Sequence, residues 1–221
     1  MEIMASKIPK HLLNKIYDQH SNGHIYSQGL SSYIGESIVK KYYFGKFGTN
    51  HEELVILRDK YGKPYLQNSK LGYFNISHSG DWVVCAFDSS PIGIDIERKE
   101  VIDLEVMYRF YSSSEVFQIN SRSLEEQISW FYKIWTLKES YLKALGIGLR
   151  VPLNSIEFFI NNEKDIQYFS KIDREKWHFR LYEIDPAYEM AICQQTYSSS
   201  VEVQILDFHK LLDKYLSYDK F

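Results

Sequence analysis

The stretch that most constrains the fold is residues 91–97, with the sequence PIGIDIE. Isoleucine occupies every second position, and a glycine, Asp95 and Glu97 occupy the positions between them. Because successive side chains of a strand point to opposite faces, the pattern predicts a strand with one apolar face and both carboxylates on the other. Carboxylates about 6–7 Å apart on one face repel each other unless a cation lies between them. The alternative is an edge strand whose acids are solvated.

A second constraint is residues 131–149, FYKIWTLKESYLKALGIGL. Their apolar residues recur at helical spacing and two glycines end the pattern, which predicts a helix within residues 123–147. Trp135, Glu139 and Lys143 are four residues apart and therefore share one face of that helix. An aromatic ring, a carboxylate and an ammonium group on one face suit an anion that binds with its metal. The alternative is a surface Glu–Lys pair beside a core tryptophan.

The acids of the two stretches form a candidate metal site. Asp95, Glu97 and Glu139 supply only carboxylate oxygens, which are the ligands that Mg²⁺ prefers. Since Mg²⁺ usually keeps open positions for phosphate oxygens, the expected partner is a diphosphate or a similar group.

Two turns carry groups that bind phosphates. Residues 75–80, NISHSG, place two hydroxyls, an imidazole and a glycine at a strand end, where free backbone N–H groups can hold an anion. Residues 61–64, YGKP, add a lysine on a stiff turn. The alternatives are an ordinary hairpin turn and a solvated lysine. A hydrolase triad of Ser77, His78 and Asp95 is disfavoured, because adjacent side chains of an extended chain diverge and no nucleophile elbow is present.

The order of these patterns indicates an α+β fold made of two similar halves. Strand, tight turn and strand recur at residues 73–87 and 178–193, and a helix-rich segment precedes each pair. We therefore predict an N-terminal half at residues 1–100 and a C-terminal half at residues 101–221. The other predicted elements are helices at 10–20, 30–42 and 208–216 and strands at 54–57, 155–160, 177–184, 188–193 and 201–206.

The composition excludes two classes of protein. A net charge of −3 and a pI near 6.2 argue against a nucleic-acid-binding protein that is held by a bulk positive field. No stretch has the length and hydropathy of a membrane span, and residues 1–10 contain no apolar run of a signal peptide. Cys85 and Cys193 lie in apolar runs and are interpreted as buried thiols, as in cytosolic proteins. We therefore expect a soluble cytoplasmic protein.

Four segments of the chain resemble the 4′-phosphopantetheinyl transferases of the surfactin-synthetase-activating type. They are YGKPYL at 61–66, FNISHSGDW at 74–82, PIGIDIE at 91–97 and WTLKESYLKALGIGL at 135–149. The segments keep the order and approximate spacing of that family, and the similarity extends from about residue 30 to residue 193. The combination of GIDIE with WxxKESxxK is more specific than either motif alone.

The resemblance implies an architecture and a reaction. The family fold is a pseudo-twofold pair of α+β halves with coenzyme A bound between them. The reaction moves 4′-phosphopantetheine from coenzyme A to a serine of an acyl or peptidyl carrier protein and releases adenosine 3′,5′-bisphosphate. The alternatives are a catalytically weak or inactive relative that binds coenzyme A or the carrier, and a Mg²⁺-dependent diphosphate hydrolase.

The resemblance also implies roles for individual residues. Asp95, Glu97 and Glu139 would hold Mg²⁺ against the diphosphate of coenzyme A. Glu139 or a bound water would help to deprotonate the carrier serine, and Glu115 is a second candidate for this base. The positions expected to contact coenzyme A are Lys63 and Pro64 on the adenine and ribose side, Ser77 and His78 at the 3′-phosphate, and Lys138, Lys143 and Asp95 at the diphosphate.

The N-terminal part departs from the family pattern. Relatives usually begin with a further strand and about fifteen more residues, so the first half-sheet is expected to lack a strand. A basic residue that the family uses on the 3′-phosphate is replaced here by Ser27. Lys15 remains as a nearby cation that is expected to contact coenzyme A, and Lys10 and His24 are the candidate substitutes.

The carrier pathway is open between fatty acid, polyketide and non-ribosomal peptide synthesis. An apolar patch in residues 100–125 is expected to dock the carrier, unless its members belong to the core. Its candidate members are Met107, Phe110, Tyr111, Val116 and Phe117. Because one chain supplies both halves, we expect a monomer.

Overall fold

The computed structural model describes residues 1–13, 23–49, 54–198 and 201–212. Two long helices, α1 and α4, enclose two β-sheets that pack face to face. The helices are α1 (Gly23–Phe47), α2 (Met107–Phe110), α3 (Ser113–Asn120) and α4 (Leu124–Leu145). The strands are β1 (Glu2–Lys7), β2 (Ile56–Arg58), β3 (Pro64–Leu66), β4 (Tyr73–Ser79), β5 (Trp82–Asp88), β6 (Ile92–Arg98), β7 (Ile156–Ile160), β8 (Ile166–Ser170), β9 (His178–Tyr182), β10 (Tyr188–Gln194) and β11 (Val203–Leu206).

The first sheet has the order β11-β1-β5-β4, and the second has the order β6-β10-β9. Each sheet arises from the same succession of elements: a strand, a long helix, a hairpin lying outside the sheet, and a second hairpin that completes it. In both, the first strand pairs antiparallel with the last, as β1 with β5 and β6 with β10. The predicted α+β class with two similar halves is confirmed. The division near residue 100 stays a prediction, and the pairing of β6 favours a boundary before residue 92.

Strand β1 corrects the expectation that the first half-sheet lacks a strand, which is wrong. Residues 2–7 lie inside the first sheet, antiparallel to β5 and parallel to β11. Ile3 and Ala5 are fully buried between the sheets. The segment has too few apolar residues to be identified as a strand alone, so its neighbours on both sides determine its structure.

Three apolar layers hold the elements together. One joins α1 to the first sheet, one lies between the sheets, and one joins α4 to the second sheet. Ile92, Ile94 and Ile96 are almost wholly buried between the sheets, which confirms the predicted apolar face of β6. Cys85 and Cys193 are buried free thiols, as predicted.

The helix predictions are correct in position and inaccurate at the ends. Helix α4 begins after a capping box at Ser123 and ends at Gly146, which has a positive φ of 70°. Helix α1 is longer than the predicted 30–42. Strand β8 was not predicted, and the predicted helices at 10–20 and 208–216 extend outside the described residues. In the part of the chain that the structure describes, no helix combines the length and apolar character that a membrane crossing requires.

Candidate active site

The candidate site lies where β4, β6 and α4 meet, a place that we refer to as the cleft. Gly93 determines how closely α4 approaches β6, because an added Cβ there would lie 1.9 Å from the carbonyl oxygen of Ser140. The backbone of α4 therefore leaves no room for a side chain at residue 93. The close approach brings Glu139 and Lys143 of α4 to the carboxylate face of β6.

Asp95 lies at the centre of the cleft and is 2% exposed. Its Oδ1 accepts hydrogen bonds from Ser77 Oγ at 2.9 Å and from Lys143 Nζ at 2.5 Å. Its Oδ2 is buried and has no partner among the described residues. Burial raises the pKa of Asp95, and the charge of Lys143 opposes that shift. Since buried polar atoms are normally paired, the free Oδ2 marks a position where a ligand is expected.

Glu97 and Glu139 flank Asp95. Burial raises the pKa of each to about 7, and the negative charge of Asp95 adds to both shifts. Glu97 accepts a hydrogen bond of 2.8 Å from Ser79, and the nearby Trp135 opposes the rise of its pKa. No hydrogen bond to Glu139 is formed within the described ranges. The structure thus brings the three predicted carboxylates and Lys143 into one cluster.

The cluster fits a Mg²⁺ ion that is shared with a substrate. Within residues 1–13, 23–49, 54–198 and 201–212, no three His, Cys, Asp or Glu side chains are arranged to ligate one ion as they stand. Mg²⁺ typically uses one or two carboxylates and completes its shell with water and substrate phosphates. The free Oδ2 of Asp95 and the carboxylate of Glu139, which has no hydrogen bond among the described residues, fit an ion that is shared with a diphosphate, rather than a cage made by the protein alone.

Ser77 and His78 occupy opposite faces of β4. Ser77 is buried, and its hydroxyl accepts from Lys143 at 2.7 Å and from the N–H of Ile96 at 3.3 Å while donating to Asp95. The side chain of His78 reaches the surface. Partial burial of its imidazole lowers the pKa of His78, and the positive charge of Lys143 lowers it further. In this structure Ser77 belongs to the carboxylate cluster, and its contact with the 3′-phosphate stays a prediction.

Lys63 and Pro64 line a cavity of about 370 Å³ at one end of the cleft, together with Tyr65, Tyr73 and Gly146. The ammonium group of Lys63 donates to two carbonyl oxygens at the end of α4, those of residues 143 and 144. Burial lowers the pKa of Lys63. The lysine therefore holds the C-terminal end of α4 against the wall of this cavity.

Lys138 and Glu115 are placed away from the cleft. Both are fully buried and form an ion pair of 2.8 Å. Lys138 also donates to the carbonyl oxygens of Leu153 and Ile156, and Glu115 accepts from the N–H of Phe158 at 3.0 Å. These contacts occupy the ammonium group of Lys138 and the carboxylate of Glu115 inside the second half. The structure therefore does not support the expected contact of Lys138 with phosphates or the expected role of Glu115 as a base.

The expected contacts of Lys15, Lys10 and His24 with the 3′-phosphate stay predictions. Lys15 and the side chains of Ser27 and His24 lie outside the described residues, and Lys10 is exposed. Ser79 is one of the two hydroxyls predicted to bind a phosphate, and its hydrogen bond to Glu97 was not predicted. The alternation of polar residues at 75, 77 and 79 of β4 is the signal that would have identified it.

Comparisons with known proteins identify the family of the chain. The profile of the 4′-phosphopantetheinyl transferase superfamily matches residues 91–193, and that of the N-terminal part of 4′-phosphopantetheinyl transferases matches residues 13–90. The 4′-phosphopantetheinyl transferase Sfp of Bacillus subtilis is 33% identical over 179 residues, which cover 81% of this chain and 80% of the relative. The transferase gsp of Aneurinibacillus migulanus is 37% identical over 137 residues, 62% of this chain and 57% of the relative.

Among solved structures, the holo-(acyl-carrier-protein) synthase of Bacillus anthracis in complex with CoA (3′,5′-ADP) matches with a TM-score of 0.43 and 19% identity. That match covers 49% of this chain and 97% of the synthase. The sequence relatives span most of the chain at an identity that establishes common descent. The chain therefore belongs to the 4′-phosphopantetheinyl transferase superfamily.

Proposed function

We propose that this protein transfers the 4′-phosphopantetheine group from coenzyme A to a serine of an acyl or peptidyl carrier protein. The observation that carries the proposal is the buried Asp95, which has one oxygen bound to Lys143 and the other without a partner in the described part of the chain. A carboxylate in this state, beside two further acids and an ammonium group, suits a diphosphate that arrives with a divalent cation.

Asp95, Glu97 and Glu139 are the residues that would hold Mg²⁺. When bound, the ion would supply charge neutralisation at the diphosphate of coenzyme A. The raised pKa values of Glu97 and Glu139, both about 7, support this assignment, since a nearby cation removes the repulsion that contributes to those shifts. Lys143 supplies a second positive charge on the same diphosphate.

The transfer exchanges one P–O bond for another. The oxygen of the carrier serine attacks the phosphorus that bears the pantetheine group, and the bond from that phosphorus to the bridging oxygen breaks. The bridging oxygen leaves with its electron pair as part of adenosine 3′,5′-bisphosphate. Glu139, whose carboxylate has no hydrogen-bond partner in the described ranges, accepts the serine proton directly or through a water. Positioning and charge neutralisation suffice, and no covalent enzyme intermediate is needed.

The nucleotide of coenzyme A would bind in the cavity of about 370 Å³ beside Lys63 and Pro64. This cavity lies at the end of α4 next to Lys143, so a nucleotide in it extends its phosphates towards the carboxylate cluster. His78 at the rim of the cleft is the remaining candidate for the 3′-phosphate among the described residues.

The carrier protein would dock on the segment that follows β6. Met107 and Tyr111 belong to the core, whereas Phe117 is 73% exposed and Tyr108 is 64% exposed. The strongly exposed Val101 and Leu124 flank this segment. Exposed aromatic and aliphatic side chains suit the apolar face of a carrier helix. We further propose that the protein acts in the cytoplasm as a monomer.

A transfer assay tests the proposal. Purified protein is mixed with coenzyme A, Mg²⁺ and an apo-carrier, and the carrier mass and the released adenosine 3′,5′-bisphosphate are measured. We expect both products in equal amounts, and we expect Asp95→Asn to abolish them while exposed Glu100→Gln has no effect. Tight binding of coenzyme A without either product would instead identify a binding protein, and free phosphopantetheine without a carrier would identify a hydrolase.

A further inference from the structure

Three polar side chains of β4 bind the open edge of β6. Strand β6 is the outer strand of its sheet, so every second N–H group lacks a strand partner on that side. Asn75, Ser77 and Ser79 accept hydrogen bonds from the N–H groups of residues 94, 96 and 98, at 2.9, 3.3 and 3.1 Å. The side chains of β4 thereby take the place of a neighbouring strand and fix β6 relative to the first half.

The two serines also hold the acids of β6. Ser77 donates to Asp95 at 2.9 Å, and Ser79 donates to Glu97 at 2.8 Å. In both cases the serine binds the carboxylate 18 residues later and the N–H group 19 residues later. Asn75 is the third polar residue of β4, and the residue 18 positions later is Gly93, which packs against the backbone of α4. The register thus pairs each serine of β4 with one carboxylate of the cleft.

Ser79 has a more limited set of contacts than Ser77. The hydroxyl of Ser77 is shared with Lys143, whereas that of Ser79 contacts only Glu97 and the backbone of residue 98 in the described chain. A hydroxyl that is fixed by an N–H donor on one side has its own hydrogen directed to the other side. It therefore restrains the carboxylate of Glu97 to one orientation.

We propose that Ser79 is a positioning residue that orients Glu97 for the divalent cation of the transfer reaction. This inference rests on the proposed function. A hydrogen bond that fixes a ligand carboxylate typically contributes about 10- to 100-fold to metal affinity. Because Ser79 reaches the cation only through Glu97, its effect requires the carboxylate of residue 97 to be present.

The test uses Mn²⁺ binding, measured by electron paramagnetic resonance on full-length protein with coenzyme A and without carrier. Ser79→Ala is expected to weaken Mn²⁺ binding by about 10-fold or more, while Ser79→Thr retains the hydroxyl and restores most of the affinity. Ser123→Ala is the matched control, since the Ser123 hydroxyl donates at 2.7 Å to Glu126 at the start of α4, away from the cluster. That variant is expected to bind Mn²⁺ as the wild type does.

A double-mutant cycle separates positioning from a general loss of structure. In the Glu97→Gln background, Ser79→Ala should cause no further loss of Mn²⁺ affinity if Ser79 acts through Glu97. A further loss of the same size as in the wild type would overturn the inference, as would an unchanged affinity in Ser79→Ala. Both results leave the proposed function intact if the wild type binds Mn²⁺ and transfers phosphopantetheine. A wild type that does neither would overturn both proposals.

Discussion

The ammonium group of Lys143 lies 2.5 Å from Oδ1 of Asp95, and the two residues come from α4 and β6. The side chain of Asp95 is 3% exposed, and the side chain of Lys143 is 29% exposed. Lys143 can therefore turn towards a phosphate oxygen in the cleft while Asp95 stays in place. The pair joins the cation that would bind the diphosphate to the acid that would bind its metal.

Replacing Lys143 by methionine should impair activity more than folding. We expect kcat/KM for coenzyme A to fall at least about 100-fold, since a preorganised charge at the diphosphate is lost. The free energy of unfolding should fall by about 1–3 kcal/mol, because Asp95 stays buried without its partner. Kinetics and urea unfolding measure the two effects, and Lys143→Arg is the charge-conserving control. An unchanged kcat/KM would contradict the assigned role.

The metal-free protein should lose stability as the pH rises through neutrality. Glu97 and Glu139 have a folded-state pKa of about 7 against 4.5 in the unfolded chain. The folded state therefore binds more protons between these values, and its stability decreases from about pH 4.5 to about pH 7 by on the order of 3 kcal/mol per group. Urea unfolding in EDTA at pH 5.5 and pH 8 measures the difference.

Glu139→Gln serves as the control for that pH dependence. The variant lacks one of the two raised pKa values, so its stability should change less between pH 5.5 and pH 8 than that of the wild type. Equal changes in both proteins would show that Glu139 does not titrate near neutrality.

Lys138→Met should destabilise the fold without affecting the substrate. The substitution leaves Glu115 as an uncompensated charge in a fully buried position, and we expect a loss of about 3–5 kcal/mol of unfolding free energy. Removing both charges, as Lys138→Met with Glu115→Leu, should recover much of it. In the folded double variant, the KM for coenzyme A should stay within about 2-fold of the wild-type value, since neither side chain lies in the cleft. A large rise in that KM would return Lys138 to the phosphate-binding set.

Gly93→Ala should separate α4 from β6. The new Cβ would lie 1.9 Å from the carbonyl oxygen of Ser140 and 2.6 Å from the backbone nitrogen of Ala144. These backbone atoms of α4 cannot move aside as the end of a flexible side chain can. We expect a loss of about 1–3 kcal/mol in unfolding free energy and a large loss of transfer activity. Gly45→Ala is the matched control, because nothing lies within 4 Å of its added Cβ in α1 and alanine favours a helix by about 0.5–1 kcal/mol. If Gly93→Ala behaves like Gly45→Ala, the close approach does not matter for the site.

The separation of Lys138 from the cleft can be inferred in part from the sequence. At about 100° per residue, Glu139 and Lys143 lie about 40° apart around α4, whereas Lys138 and Lys143 lie about 140° apart. Helical spacing alone thus predicts that Lys138 and Lys143 lie on different faces of α4. Lys138 instead shares the side of α4 that carries Ile134 and Tyr141, and both of these are fully buried.

The amino-acid sequence by itself determined the alternation of β6, the position of α4 and the choice of Asp95, Glu97 and Glu139 as candidate ligands, because these depend on the local periodicity of strands and helices. Only the tertiary structure decided which oxygens are paired. The hydrogen bond from Ser79 to Glu97 and the free Oδ2 of Asp95 depend on elements far apart in the chain that meet across the two halves. The position of residues 2–7 as an inner strand has the same origin, since hydrogen bonds to β5 and β11 outweigh a weak local preference.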